Sequence, residues 1–273
     1  IEQEGWADLI PYLINTLKED DICDSLKSGI ISTFKEIFSY PWKLFCFKTI
    51  PNELFDFFQF LLFQISYPGL DQDKYIDCAI CLESMICQIP NFFMKNNDTV
   101  KNINDILDAL ESTFQYSEEK LYRKFHHIML AILREYYELS DEFMERIAEF
   151  ALKGLYSNFR SVSIDFWCEV YKLEKNRNKQ FKHTLIASEK LPRTLLEINL
   201  ELKDPEQTNY VQPDITDWNH YSCKLLKMFV KAALISDPNI QYEATQLILS
   251  DIFDFLQFCV DDAEKEMPTL LAF

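Results

Sequence analysis

The segment Asp77-Cys78-Ala79-Ile80-Cys81-Leu82-Glu83 places two thiols at the C-x-x-C spacing with which many zinc fingers open. A structural zinc needs four ligands. After Cys87 the next cysteine is Cys168, and no Cys-x-His follows, so the set stays incomplete. On a helix, Cys78, Cys81, Met85 and Ile89 share one face, and the segment reads as core packing. His126-His127 offers imidazoles for base or metal chemistry, but adjacent helical residues point ~100° apart. No H-E-x-x-H, Walker loop, G-x-G-x-x-G or G-x-S-x-G occurs. With 44 acidic residues, carboxylate pairs arise by chance and single out no acid–base couple. The expectation is a non-enzyme with no cofactor and no metal.

The elements that would carry a binding surface are helical. Only 4 glycines occur in 273 residues, too few for the positive-φ turns and phosphate-cradling loops of sandwich, Rossmann or P-loop folds. Apolar spacing is that of helices: Leu121, Phe125, Ile128, Met129, Ile132, Leu133 and Tyr136 follow one face. Net charge is -17, which opposes nucleic acid phosphates and anionic membrane and attracts basic partners. Neither direct nucleic-acid binding nor membrane insertion is expected. The longest apolar stretch, Leu54 to Ile65, is interrupted by Asp56, Gln59 and Gln64 and is too short to span a bilayer. The 8 cysteines, without a secretory leader, read as free thiols of a reducing compartment.

Punctuation cuts the chain into helix pairs. Helices are expected from Trp6 to Lys18, from Ile22 to Tyr40 before Pro41, from Pro51 to Ser66, and from Asp71 to Ile89 before Pro90. Further helices follow from Thr99 to Tyr116, from Ser117 to Leu139, from a Ser140 cap to Tyr156, and from Phe159 to Glu174. A basic loop, Lys175 to Lys182, leads to helices at Leu185 to Leu202, Asp217 to Ile235, and Pro238 to about Val260. Alternate helices start near 6, 51, 99, 141, 185 and 238, a period of roughly 45 residues, the HEAT and armadillo spacing. The expected fold is therefore an all-α HEAT-repeat solenoid, one array over 1–273 with approximate repeats 6–50, 51–98, 99–140, 141–182, 183–237 and 238–273. The apolar Leu270-Leu271-Ala272-Phe273 and the absence of an initial Met suggest a piece of a longer array.

Four stretches, Trp6 to Leu13, Ile132 to Tyr137, Ile164 to Trp167 and Asp217 to Asn219, resemble the karyopherin-β (importin-β) family of nuclear transport receptors. Trp6-Ala7-Asp8-Leu9-Ile10-Pro11-Tyr12-Leu13 is similar to its W-x-x-L-I-P-x-L helix; Ile132-Leu133-Arg134-Glu135-Tyr136-Tyr137 resembles a helix end with a Tyr-Tyr pair. Ile164-Asp165-Phe166-Trp167 is similar to the family's I-E-F-W, and Asp217-Trp218-Asn219 to the D-W-N that follows its acidic loop. Their order and separations run along most of the chain, matching about the fourth to ninth HEAT repeat.

The resemblance implies a concave surface holding basic nuclear-localisation-signal cargo or the importin-α adaptor, with Asp165, Trp167, Asp214, Asp217, Trp218 and Asn219 on it. Indole faces would stack on Lys and Arg stems while carboxylates pair with their heads. The acidic loop would include Asp204, Glu206 and Asp214, and in the family such a loop touches Ran. Here its acids are scattered without a run, and Lys172 stands where the family has an acid, which implies weaker attraction. On the convex side, Phe55 and Phe58 of the Phe-rich helix 51–66 are the expected docking residues for FG nucleoporins. RanGTP-regulated release, and residence in cytoplasm, nucleus and nuclear envelope, are implied in the same way. A transportin- or exportin-like receptor, and a non-transport HEAT scaffold such as a phosphatase or coat subunit, remain alternatives.

Overall fold

The computed structural model describes residues 4–19, 21–39, 51–67, 71–90, 99–157, 159–177, 181, 183–184 and 246. Among these residues the chain is all-α, with no β-strand. The helices are α1 (Glu4–Leu17), α2 (Asp24–Ser39), α3 (Pro51–Ser66), α4 (Gln72–Gln88), α5 (Thr99–Thr113), α6 (Glu119–Glu135), α7 (Met144–Leu155) and α8 (Arg160–Asn176). Among the described residues no helix is long and apolar enough to cross a membrane.

Sequence punctuation accounts for most of these bounds. Pro51 opens α3, where its fixed φ suits the first helical position, and Glu53 lies in that helix's positive first turn. The expected end of α6 at Leu139 is a correction: the chain leaves α geometry at Tyr136 (φ -120°, ψ 33°) and tightens into a 3-10 segment, Tyr137–Glu142. Tyr136 and Tyr137 are both buried. The Tyr136 hydroxyl is fixed by donating to the Pro90 carbonyl at 2.7 Å. Ser140, expected to cap α7, is instead buried inside the 3-10 segment and donates to the Tyr137 carbonyl.

The chain divides into two compact units, Ile1–Phe150 and Ala151–Phe273, with the boundary inside α7. In the first unit the helices form two rows in chain order. One row runs α1, α3, α5 and the other α2, α4, α6, with α3 also packed on its hairpin partner α4. Each row buries the apolar stripe of its helices. Phe34 of α2 meets Phe57 of α3 at 4.1 Å between ring centroids, with Phe38 alongside at 6.3 Å from Phe57. The α6 stripe expected from periodicity, Leu121 through Tyr136, is buried at every one of its positions. Phe150 of α7 closes this part of the core, stacking on Tyr122 at 5.5 Å and meeting the edge of Phe114.

Polar contacts brace helices that neighbour one another within a row. Lys18, just past α1, pairs with Asp56 of α3 at 2.5 Å, and Arg146 of α7 reaches Asp108, Glu111 and Asn104 of α5. In the other row Lys35 of α2 meets Asp77 of α4 at 2.6 Å, and Lys124 and Lys120 of α6 meet Glu83 and Asp73 of α4 at 3.7 Å. Hydroxyls also satisfy backbone carbonyls at helix ends, which have no partner inside their own helix. Thr113 donates to the Ile65 carbonyl, and the Tyr75 hydroxyl to that of Tyr67.

In the second unit the described residues are 151–157, 159–177, 181, 183–184 and 246, which hold the end of α7 and all of α8. The Arg160 guanidinium donates through Nε to the Leu155 carbonyl at 2.9 Å, which caps the end of α7. Val162, Ile164, Phe166, Trp167, Val170 and Tyr171 form the buried side of α8.

Candidate binding surfaces

Asp165 and Trp167 do not share a surface. Residues two apart on a helix are rotated ~200°, and α8 places Asp165 half-buried beside the exposed Glu169 and Lys172. Trp167 faces the other way, with 1% of its surface exposed, edge-on to Phe166 at 5.3 Å. Its indole Nε1 is buried without a hydrogen-bond partner. This corrects the expectation of an accessible indole there: the ring belongs to the core. On the solvent side Lys172 and Glu169 pair at 2.5 Å, and that hydrogen bond raises the lysine above its ordinary pKa. Asp204, Glu206, Asp214, Asp217, Trp218 and Asn219 lie outside the described residues.

Phe58, expected as a docking residue, has 0% of its surface exposed and is core, while Phe55 beside it, 5.9 Å between centroids, is half-buried. The open aromatics of this region are instead Phe63 and Tyr67, 61% and 55% exposed, with rings 5.9 Å apart. Their signal was present in the sequence. Asp56, Gln59 and Phe63 are spaced as one helical face, so Phe63 is an apolar residue on the polar stripe of α3. Such a residue gains nothing from folding and stays available to a partner.

Among the described residues a group of acidic side chains lies near the start of α7. Glu138, Asp141, Glu142, Glu145 and Glu149 are all exposed between the 3-10 segment and α7. In contrast, the outward side of α6 carries Lys120, Arg123, Lys124 and His127, with the first and third paired to α4 acids and His127 3.9 Å from Glu83.

The residues with possible chemistry are placed as packing groups. Cys78 and Cys81 are buried on α4, and Cys81 donates to the Ile31 carbonyl at 3.6 Å. Burial pushes the Cys78 thiol up to about 12, and Cys81 upward too. His126 is buried against Tyr122 while His127 is exposed, the divergence that adjacent helical positions require. Cys23, exposed at the start of α2, has its Sγ 3.1 Å from the Ser25 hydroxyl, and that hydrogen bond holds its pKa below the ordinary thiol value. No group of three or more His, Cys, Asp or Glu able to hold a metal occurs among the described residues. No family model, no curated protein and no solved structure matches the chain.

Proposed function

We propose that this chain is a stretch of HEAT-type solenoid serving as a non-enzymatic binding scaffold, of the nuclear transport receptor kind. The observation that carries the reading is the pair of helix rows in residues 1–150, in which successive hairpins stack in chain order. Repeat arrays bury their apolar faces in this manner and leave long surfaces for partners. The net charge of -17 favours a basic guest, a nuclear-localisation signal or the importin-α adaptor, and the four karyopherin-β-like stretches point to transport.

With Trp167 in the core, the guest is held by carboxylates more than by that indole, and the exposed acids from Glu138 to Glu149 suit this role. FG nucleoporins would dock on the outer side of α3 through Phe63 and Tyr67 with Phe55 adjoining. RanGTP would release the guest by linkage, each ligand favouring a different shape of the array. The test is binding of a Lys/Arg-rich signal peptide and of a Phe-Gly peptide to the chain. Both should bind, the first with an affinity that falls steeply as salt rises. A signal peptide that ignores salt, or no binding of either, would sink the reading.

A second reading is a non-transport HEAT scaffold, and the burial of Trp167 favours it, since a static scaffold has no need of an open indole. Phe-Gly peptide binding separates the two readings.

A further inference from the structure

Glu174 lies in the last turn of α8, and none of its surface is exposed. A carboxylate there gains nothing from its own helix, whose final carbonyls carry partial negative charge. Its partners come from further along the chain. Oε1 accepts the backbone N–H of His183 at 2.6 Å, and Oε2 accepts the backbone N–H of Thr184 at 2.9 Å and the Thr184 hydroxyl at 2.5 Å. His183 and Thr184 are helical, and the first amides of a helix need an outside acceptor. Glu174 supplies it from nine and ten residues back.

Between the two ends of this contact the backbone is strained. Phe181 has φ 45°, in the left-handed region that bulky residues avoid. Its ring has 0% exposure and stacks on Tyr171 at 5.3 Å, with 24° between the planes. Tyr171 and Glu174 are three residues apart and lie on one side of α8. A single helical face therefore holds Phe181 against its own backbone preference.

We propose that Glu174 latches Phe181, His183 and Thr184 onto α8 as one releasable unit. Glu174 is the latch, and when its three acceptor bonds are lost, Phe181, His183 and Thr184 leave α8 together while Phe181 returns to negative φ. The three donors are bound by one group, so they open as one cooperative unit and not by gradual fraying. This inference is independent of the transport reading. It assigns Glu174 a positioning role that neither its charge nor its place in α8 suggested.

The experiment is amide hydrogen exchange on the full chain, comparing the native protein with Glu174→Gln. The amide substitute keeps the volume and loses the charge that binds three donors. The amides of His183 and Thr184 should exchange about tenfold faster or more, while the interior amides of α8, such as Val170, keep their rate. Tryptic cleavage after the exposed Lys175 and Arg177 should accelerate in parallel. Unchanged exchange at His183 and Thr184 would overturn the latch. Equal acceleration throughout α8 would also overturn it, since the loss would then be general unfolding. Should Glu174→Gln fail to fold, Thr184→Val removes only the hydroxyl donor. It should speed exchange at His183 to a smaller degree, and no acceleration there would count against the proposal.

Discussion

The hydroxyl of Thr113, at the end of α5, donates to the carbonyl of Ile65, at the end of α3, across 2.5 Å. The bond joins neighbours in one row, 48 residues apart in sequence, at a point where both groups are buried. Thr113→Val keeps the shape and removes the donor, leaving the Ile65 carbonyl without this partner. The expected cost is about 1–2 kcal/mol, read as a lower urea midpoint with an unchanged slope.

Two phenylalanines of α3 should behave in opposite ways. Phe57 is fully buried against Phe34, so Phe57→Ala should cost about 3–5 kcal/mol. Phe63 is exposed, so Phe63→Ser should leave the unfolding midpoint within about 0.5 kcal/mol of the native chain. The same substitution should weaken Phe-Gly peptide binding if the outer side of α3 is the docking surface. Thermal unfolding and peptide titration of the two variants check both halves.

Arg146 meets Asp108 at 2.6 Å and Glu111 at 3.4 Å, with its side chain 30% exposed and Asp108 more so. Partly exposed pairs of this type contribute little. Arg146→Met should therefore lower stability by no more than about 1 kcal/mol. The difference between native and variant should shrink as salt rises, because screening weakens the pairs in the native chain alone.

Alkaline pH should destabilise the first unit through its buried thiols. Burial raises Cys78 from the ordinary 9.0 to about 12, so the folded chain keeps a proton that the unfolded chain releases. The stabilisation is fully present below pH 9 and is lost as pH climbs toward 12. Cys78→Ala should make the fall in stability shallower by about 1.4 kcal/mol per pH unit in that window. Urea midpoints measured across it give the slopes.

Thiol reactivity should follow the same geometry. Cys23 is exposed at the start of α2 and its pKa is lowered, chiefly by the Ser25 hydrogen bond, whereas Cys78 and Cys81 are buried and raised. Iodoacetamide on the native chain should label Cys23 well before either of the others. Peptide mapping of a time course checks the order.

Helix bounds were legible in the sequence where a residue acts locally. Pro51 and Ser66 bound α3 as expected, and at Pro51 the ring fixes the backbone whatever surrounds it. The end of α6 was not legible: the chain leaves α geometry at Tyr136, whose hydroxyl bonds to the Pro90 carbonyl, 46 residues away. Periodicity also found the buried stripe from Leu121 to Tyr136.

The candidate site was less legible. The separation of Asp165 from Trp167 followed from helix rotation alone, and the family likeness masked it. Phe58 could not be told from Phe63 by residue type, since both are phenylalanines of one apolar helix. Only the polar stripe of Asp56 and Gln59 marks which side faces water. Glu174 was out of reach of sequence reasoning, because its donors lie beyond a basic loop that offered no sign of a fold-back.

The bracing pairs set the charge of the two sides on which the hairpin of α3 and α4 meets its neighbours. The hairpin of α3 and α4 offers carboxylates on both flanks: Asp56 and Asp77 toward Lys18 and Lys35, and Asp73 and Glu83 toward Lys120 and Lys124. A tandem duplication of residues 51–90 would set acid against acid where the two copies met, at a cost kept small by how open these pairs are to solvent.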